Sequence, residues 1–314
     1  MEARIDGKQT TVLVTGGTDG LGRATALLLA LRGYRVFAAG RSLQKRAALE
    51  QLAEEKSVEL ETLELDVTSD ASADRAIAEI TRRAGPVDVL VNNAGVAIAA
   101  AMEEITIEDL RKQFETNVFS MVRLSHRVLP GMREKGRGRI INMSSIAGRT
   151  SNPLMGPYSG SKHAVEAISD AMRMELVRFG IHVVMIEPGF IPTNIGQASA
   201  EASSRYTANA AESPYAHVYL GFLKLWRKIM ANAKSTPEDC AQVILRAVQS
   251  RSPRARYLVT REAKITAALR WLLSDRQLDK MTLRMMGLDR PYANTLDAAT
   301  VRTELADLVG PRPR

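Results

Sequence analysis

The stretch "TVLVTGGTDGLGRATALLLA", residues 11–30, joins a short apolar run to a leucine-rich segment through a glycine-rich turn. Gly16, Gly20 and Gly22 of this turn follow the spacing T-G-x-x-x-G-x-G. Glycine lets the backbone approach a pyrophosphate closely, and a helix beginning near Gly22 offers free N–H groups and the positive end of its dipole. A strand, such a turn and a helix in this order are typical of nucleotide binding, although a plain strand-to-helix connection remains an alternative.

Similar alternation continues through the first two-thirds of the chain. Short β-branched or apolar runs that end in turn-forming residues predict strands at Thr11 to Gly17, Arg35 to Gly40, Val58 to Val67, Val87 to Gly95, Gly138 to Ser145 and Ile181 to Gly189. Helical patterns separate them, and in the first of these Leu27, Leu28 and Leu31 are expected to form the buried stripe. Strands and helices alternating in this way predict a doubly wound α/β fold of Rossmann type with a parallel sheet.

The pattern changes after Gly189. Residues 190–236 mix helical and irregular sequence, and a helix is then predicted to open at Thr236 and Pro237. "RYLVT", residues 256–260, predicts one more strand, and residues 263–288 form an amphipathic helical extension. We expect a single domain over residues 1–288, and the pattern assigns no structure to residues 289–314.

The composition is that of an ordinary globular protein, with 45% apolar and 25% charged residues among 314. Cys240 is the only cysteine, so no intrachain disulfide can form, and the four histidines show no metal-ligand spacing. The first residues mix charges of both signs, and no apolar run approaches the roughly 18 residues of a membrane span. We therefore expect a cytoplasmic protein without a metal.

Positive charge is concentrated late in the chain. Residues 222–290 hold 15 Lys/Arg and 6 Asp/Glu, whereas the whole chain has a net charge of +8. Basic and acidic residues alternate there at helical spacing, aromatic residues are few, and no nucleic-acid-binding motif is present. The pattern favours a solvated helix face or contact with an anionic membrane surface over nucleic-acid binding.

Two further turns follow predicted strands. Asp66 closes the third strand, where a carboxylate can accept from an adenine amino group, and "NNAG", residues 92–95, closes the fourth. Parallel sheets bind ligands at the carboxyl ends of their strands, so three such turns together favour a nucleotide site, although each alone is compatible with a simple turn.

Tyr158 and Lys162 lie four residues apart in "PYSGSK", so on a helix they share one face. A nearby ammonium favours the phenolate and lowers a phenol's pKa from about 10, which suits a general acid/base. The spacing alone is more typical of ordinary packing and solvation on a half-exposed helix.

In combination, these motifs resemble the short-chain dehydrogenase/reductase family over about Thr11 to Thr193. The resemblance is carried, in order, by the glycine turn, Asp66, "NNAG", Asn117 in "ETNVFS", "NMSSIAG", "YSGSK" and "EPGFIPT". It implies that Tyr158 is the acid/base at the substrate oxygen and that Ser145, thirteen residues earlier, hydrogen-bonds the same oxygen. Lys162 would then lower the phenol's pKa and reach the nicotinamide ribose.

The resemblance further implies that Asn117 helps hold a water chain for proton resupply. The neighbouring Ser144 is expected to be structural, because adjacent side chains of a strand point to opposite faces. The residues implied to bind the cofactor are Gly16, Thr18, Asp19, Gly20, Leu21, Gly22, Arg41, Ser42, Asp66, Val67, Asn93, Ala94, Gly95, Tyr158, Lys162, Pro188, Gly189, Ile191 and Thr193. For Thr193, a helix N-cap is an equally good interpretation.

The end of the second strand bears on the choice of cofactor. At this point an Asp or Glu would hold the ribose 2′-hydroxyl of NAD, but the sequence has Gly40, Arg41 and Ser42. Arg41 can pair with a 2′-phosphate and Ser42 can hydrogen-bond it. We therefore expect NADP(H) to be preferred over NAD(H), with a surface arginine that caps a turn as the alternative.

The later segments bear on the substrate. The chain is similar to the 17β-hydroxysteroid and retinol dehydrogenase-like branch, which implies a substrate lid over residues 190–236 and a lipophilic alcohol or carbonyl substrate. The apolar residues of two later helices are expected to be mostly core; these are Leu220, Phe222, Leu223, Leu225, Trp226, Ile229 and Met230, then Leu269, Leu272, Leu273, Leu278, Met281, Met285 and Met286. Peripheral contact with an anionic membrane and a homo-oligomer are compatible with this interpretation, and a catalytically silent nucleotide sensor or scaffold of the same fold is the alternative.

Overall fold

Seven short runs of apolar residues form one parallel sheet in the part of the chain that the computed structural model describes, residues 10–192, 195–289 and 298–309. The strands are β1 (Thr11–Thr15), β2 (Arg35–Gly40), β3 (Glu61–Glu64), β4 (Val89–Asn92), β5 (Gly138–Met143), β6 (Ile181–Glu187) and β7 (Arg256–Leu258). Their order is β3-β2-β1-β4-β5-β6-β7. The order reverses between β1 and β4, which confirms the predicted doubly wound fold and puts a ligand crevice at the carboxyl ends of these two strands.

Helices cover both faces of the sheet. They are α1 (Gly20–Leu31), α2 (Leu43–Glu55), α3 (Asp70–Ala84), α4 (Ile107–Phe114), α5 (Ser120–Glu134), α6 (Gly156–Leu176), α7 (Ile195–Thr207), α8 (Ala216–Asn232), α9 (Pro237–Gln249), α10 (Arg261–Leu272), α11 (Asp275–Met285) and α12 (Ala298–Val309). Val12 and Val14 of β1 face the layer that contains α1 and α9, whereas Leu13 faces the layer that contains α3 and α5. Both faces of the inner strands are buried, which explains their largely apolar sequence, whereas the edge strands β3 and β7 are only partly buried.

Two local predictions are corrected. β2 ends at Gly40 as predicted, but the other strands end two or three residues before the predicted ends, because the residues that follow leave the sheet to form turns. In α1, Leu31 is 57% exposed and Leu27 and Leu28 are only partly buried. The buried side of α1 is instead formed by smaller residues and Leu29, since α9 packs directly against this helix.

Some of the helices after β6 form a separate layer beyond the carboxyl edge of the sheet, whereas α9 packs on α1. α7, α8 and α12 pack together around a cluster that includes Tyr206, Tyr219 and Leu220. Val301 and Leu305 of α12 are buried in this cluster, so residues 298–309 form a packed helix in the segment to which the sequence pattern assigned nothing. The described residues contain no helix with the length and apolar character needed to cross a membrane.

The helical extension at residues 263–288 is broken into α10 and α11 at Ser274, which caps α11 together with Gln277. The prediction that its apolar residues are mostly core is wrong. Met286 is buried, but Leu272 and Met285 are exposed. The helix predicted to open at Thr236 and Pro237 is confirmed, and a capping box formed by Thr236 and Asp239 closes its first turn.

Candidate active site

The glycine turn between β1 and α1 has the backbone that a phosphate cradle needs. Gly16 and Gly20 adopt φ angles of 60° and 50°, in the left-handed region that favours glycine. Asp19 caps α1, and its carboxylate accepts a 2.7 Å hydrogen bond from the Gly20 N–H. A Cβ atom on Gly22 would clash with the Gly16 carbonyl oxygen. The turn therefore leaves room beside the first turn of α1, and the residues present fit the pyrophosphate of a dinucleotide.

The turn after β4 is tied to the glycine turn through Asn93. The Asn93 side-chain amide donates to the carbonyl oxygens of Thr15 (2.9 Å) and Gly16 (3.2 Å). The Thr15 hydroxyl accepts from the N–H groups of Asn93 (2.9 Å) and Ala94 (3.0 Å). These hydrogen bonds hold the turn after β4 against the glycine turn. The sequence pattern did not identify this role of Thr15.

Asp66 lies in the turn after β3, where the sequence predicts an acceptor for an adenine amino group. Its carboxylate accepts hydrogen bonds from the Thr68 N–H (2.9 Å) and hydroxyl (2.7 Å). Partial burial raises the pKa of Asp66, but these hydrogen bonds and the charges of Arg41 and Arg123 outweigh it and hold the pKa below its ordinary value. Asp66 is therefore ionised at neutral pH, as an acceptor for an adenine amino group must be.

The end of β2 presents a cation at a helix N-terminus. Arg41 is exposed, and it makes no ion pair or hydrogen bond with the rest of the described chain. Ser42 caps α2 by accepting from the Lys45 N–H at 3.3 Å. The Lys45 ammonium pairs with the Asp19 carboxylate at 2.6 Å. This pair offsets the negative charge of Asp19 beside the glycine turn. Lys45 is a residue of the site that the sequence pattern missed.

Ser145, Tyr158 and Lys162 lie together at the carboxyl end of β5. Ser145 begins a short 3₁₀ turn after β5, and the other two residues lie one turn apart in α6. Burial raises the pKa of the Tyr158 phenol, while a hydrogen bond from the Ser145 hydroxyl lowers it, and the net direction is upward. Burial, rather than the expected lowering of this pKa by Lys162, is therefore the dominant effect.

The Lys162 ammonium is buried beside the tyrosine. It donates a 2.7 Å hydrogen bond to the Met143 carbonyl oxygen and lies 5.7 Å from the centre of the Tyr158 ring. Burial lowers the pKa of Lys162 to about 8, although the nearby Glu166 carboxylate opposes this shift. The Lys162 ammonium lies next to Gly95, so α6 meets the turn after β4 at this lysine.

Asn117 lies in a π-helical turn, Glu115–Phe119, between α4 and α5. Its side chain accepts from the Val96 N–H at 2.9 Å and donates to the Val96 carbonyl at 2.9 Å and the Ser161 hydroxyl at 3.0 Å. Such turns occur frequently at functional sites. Gln113, which also bonds the Val96 carbonyl, is a further supporting residue that the sequence pattern missed.

The turn after β6 forms one boundary of the candidate site. The Pro188 carbonyl accepts from the Ile146 N–H at 2.9 Å and from the Ser145 hydroxyl at 3.4 Å. A Cβ atom on Gly189 would clash with the Thr260 hydroxyl, so this turn packs directly on the start of α10. Ile191 follows at the edge of the core, whereas Thr193 lies outside the described residues.

A buried network of charged side chains contacts α6, and the sequence pattern did not predict it. Glu187, fully buried at the end of β6, pairs with Arg149 at 2.8 Å and with Arg256 at 3.4 Å. Arg256 also binds Glu166 at 2.9 Å. Burial raises the pKa of Glu187. The network joins β6 and β7 to the helix that carries Tyr158 and Lys162, over sequence separations that no local motif reveals.

A parallel sheet of this order, with a glycine cradle at its switch point, defines a dinucleotide-binding protein of Rossmann type. The chain belongs to the short-chain dehydrogenase family, whose model matches residues 10–204. It is accordingly an oxidoreductase with a fold that binds a nicotinamide cofactor, and it resembles the retinol and steroid dehydrogenase-like branch as predicted.

Individual relatives are similar over most of their length. The chain is 35% identical over 275 residues to the NADPH-dependent 3-dehydrocapnine reductase of Ornithobacterium rhinotracheale, a match that covers 86% of this chain and 94% of the relative. It is 32% identical to human retinol dehydrogenase 8, over 77% of this chain and 79% of the relative. An actinorhodin polyketide ketoreductase variant with NADPH superposes with a TM-score of 0.69 at 30% identity, covering 80% of this chain and 95% of that one.

Proposed function

We propose that this protein is an NADP(H)-dependent oxidoreductase that interconverts a lipophilic alcohol and its ketone or aldehyde, with Tyr158 as the general acid/base. The observation that carries the proposal is the grouping of Tyr158, Ser145 and Lys162 beside the turn after β4, at the carboxyl edge of a sheet with a dinucleotide cradle. An alcohol–carbonyl interconversion needs a proton partner at the substrate oxygen, and a phenol next to a serine hydroxyl and an ammonium supplies one.

In the proposed mechanism Tyr158 gives a proton to the substrate oxygen during reduction and takes it back during oxidation. Ser145 donates a hydrogen bond to the same oxygen and orients it. Held by the glycine turn and the turn after β4, a nicotinamide cofactor would supply a hydride to the substrate carbon in reduction and accept one in oxidation. Lys162 stabilises the phenolate left after proton transfer, and its hydrogen bond to the Met143 carbonyl holds it in place. Asn117 holds the Val96 backbone and Ser161, which fixes the loop beside the lysine.

The lipophilic part of the proposal rests on aromatic side chains above the turn after β6. The Phe190 ring meets Trp226 of α8 edge to face with centroids 5.5 Å apart, and Trp226 stacks on Phe222 at 5.9 Å. All three side chains are only half-buried, so apolar surface remains beside the site. Such surface suits an apolar chain or ring system.

We propose that residues 190–236 form a lid on a single domain, residues 1–288. Ser199 and Ser203 lie one turn apart in α7 and accept hydrogen bonds from the N–H groups of Ala97 (3.2 Å) and Ala99 (2.9 Å). The lid is thereby fastened to the segment that follows the turn after β4. We also propose peripheral contact with an anionic membrane. A homo-oligomer is part of the same proposal, and light scattering during size-exclusion chromatography tests whether one forms.

A series of ketones and aldehydes with increasing apolar chain length tests the substrate class. We expect kcat/KM to rise with chain length in the wild type, and Trp226→Ala to lower kcat/KM for the longest substrates about tenfold while short ones change little, because each buried methylene is worth about 1–3 kcal/mol. Phe179→Ala is the matched control, because this exposed ring lies just before β6 at the opposite edge of the sheet. A preference for small polar ketones or sugars would reject the lipophilic substrate but not the oxidoreductase.

The cofactor preference rests on Arg41, and Arg41→Ala tests it. We expect the variant to lose about tenfold in kcat/KM with NADPH and to change little with NADH, because only NADPH has a 2′-phosphate for the guanidinium. Arg32→Ala, an exposed arginine at the far end of α1, is the control. Equal use of both cofactors by the wild type, or an unchanged preference in Arg41→Ala, would contradict the assignment.

A further inference from the structure

The solvent face of α10 is apolar where a surface helix is normally polar. Trp271 is 85% exposed, Leu272 is 65% exposed and Ile265 is 49% exposed. These residues recur at helical spacing on one side of α10, while Ala263 on the other side is fully buried. A tryptophan exposed to this extent beside other large apolar side chains marks an interaction surface rather than an ordinary solvent face.

Cationic side chains lie on α10 with these apolar residues and on α11, which contacts α10. Arg261 and Lys264 lie on the same face of α10, and Arg276 and Lys280 lie one turn apart on α11. Within the residues that the structure describes, none of these four side chains makes an ion pair or hydrogen bond. Residues 261–285 hold six Lys/Arg and three Asp/Glu. We call Arg261, Lys264, Ile265, Trp271, Leu272, Arg276 and Lys280 the α10–α11 surface.

The helix that carries most of this surface packs through its buried side on the candidate active site. The start of α10 packs on Gly189, since Thr260 and Ala263 fill the space where a Cβ of that glycine would be. The end of α11 packs on α8, where the Met286 backbone fills the corresponding space at Gly221. The two helices therefore connect the turn after β6 with the proposed substrate lid.

We propose that the α10–α11 surface docks the protein on a bilayer that contains anionic phospholipids. Tryptophan, leucine and isoleucine favour the boundary between headgroups and acyl chains, and unpaired lysines and arginines around them are attracted to anionic headgroups. A second copy of this chain is a poorer occupant, because a two-fold contact would bring the same cations against each other. This inference rests on the proposed lipophilic substrate and names the surface through which the enzyme would reach a membrane that holds it. Vesicle binding is measured without turnover, so it tests the inference separately from the proposed function.

Vesicle binding of the full chain tests the proposal. We expect the protein to co-sediment with phosphatidylcholine vesicles that contain phosphatidylglycerol, and to bind pure phosphatidylcholine vesicles roughly tenfold or more weakly, with binding reduced by added salt. The Trp271→Ala and Leu272→Ala double variant should lose binding, as should the Lys264→Glu and Lys280→Glu double variant. Leu31→Ala and Lys56→Glu are the matched controls, because both side chains are exposed at the opposite edge of the sheet.

Fluorescence shows whether Trp271 itself enters the bilayer. Trp226→Phe leaves Trp271 as the only tryptophan, because the chain has two. Its emission should be quenched by phosphatidylglycerol-containing vesicles with brominated acyl chains. Equal binding to neutral vesicles, no quenching, or a Trp271-dependent dimer that does not bind vesicles would overturn the proposal. Turnover of soluble substrates without vesicles is expected to survive in the α10–α11 variants, so the proposed activity is judged separately.

Discussion

Tyr158→Phe is expected to lower turnover by about 10²–10⁴-fold while cofactor affinity stays within a few-fold of the wild type. The substitution removes only the phenolic oxygen. The ring remains to pack beside Lys162, and the hydrogen bond from Lys162 to the Met143 carbonyl does not involve the phenol. Steady-state turnover with the preferred carbonyl, together with a NADPH fluorescence titration, measures the two quantities independently.

Tyr257→Phe is the matched control for this experiment. Its hydroxyl accepts a hydrogen bond from the Arg254 N–H at 3.1 Å, and its ring packs in the core on the side of α1 and α9. We expect nearly normal turnover in Tyr257→Phe. Nearly normal turnover in Tyr158→Phe would contradict the acid/base assignment. A wild type that binds NADPH but turns over no alcohol or carbonyl would favour the silent nucleotide sensor.

The pH dependence gives the same experiment a second readout. Because burial raises the pKa of Tyr158, the phenol is protonated at neutral pH, so carbonyl reduction runs there and weakens as the phenol ionises at alkaline pH. Alcohol oxidation needs the phenolate and has the opposite dependence. Lys162, with a pKa of about 8, also titrates at alkaline pH and is retained in the variant. The residual reduction by Tyr158→Phe should therefore lose only the decline at higher pH that follows ionisation of the phenol, which a purely structural role of the tyrosine does not predict.

The sheet and the candidate site were predictable because their signals are local. Each strand is a short apolar run that ends in a turn, and the residues Gly16, Asn93 and Tyr158 are positioned by the strand or helix immediately beside them in the sequence. Parallel strands then bring distant turns to one edge. This explains how a few motifs separated by more than a hundred residues could be assigned to one site.

The remaining features depend on contacts between distant segments. Arg256 reaches Glu166 across 90 positions, and neither residue belongs to a recognisable motif. Leu31 fits a buried helical stripe by spacing, but α9 packs on the other side of α1 and leaves it exposed. In the same way, Leu272 was predicted to be core from its spacing, but in the described part of the chain it is 65% exposed. Periodicity predicts that a face is apolar, but it does not predict what lies against that face.

Gly22→Ala is expected to reduce NADPH affinity by about tenfold to a hundredfold and to lower the melting temperature by several degrees. An added Cβ would clash with the Gly16 carbonyl oxygen and with the Asn93 side-chain amide. Overpacking of this kind costs about 1–3 kcal/mol or more, and the backbone must move at the point where the pyrophosphate is expected to bind. Calorimetric titration with NADPH and thermal unfolding measure the two effects.

Gly160→Ala is the control, because its Cβ would lie 3.8 Å from Phe114, an ordinary contact on an exposed turn of α6. Removing a helical glycine there should leave the melting temperature unchanged or slightly higher. Gly22 differs from Gly16 and Gly20 in that its φ angle is not positive, so alanine at this position is compatible with the local backbone. A loss of affinity in Gly22→Ala therefore reports the close approach of two chain segments, and wild-type affinity in this variant would contradict the pyrophosphate site.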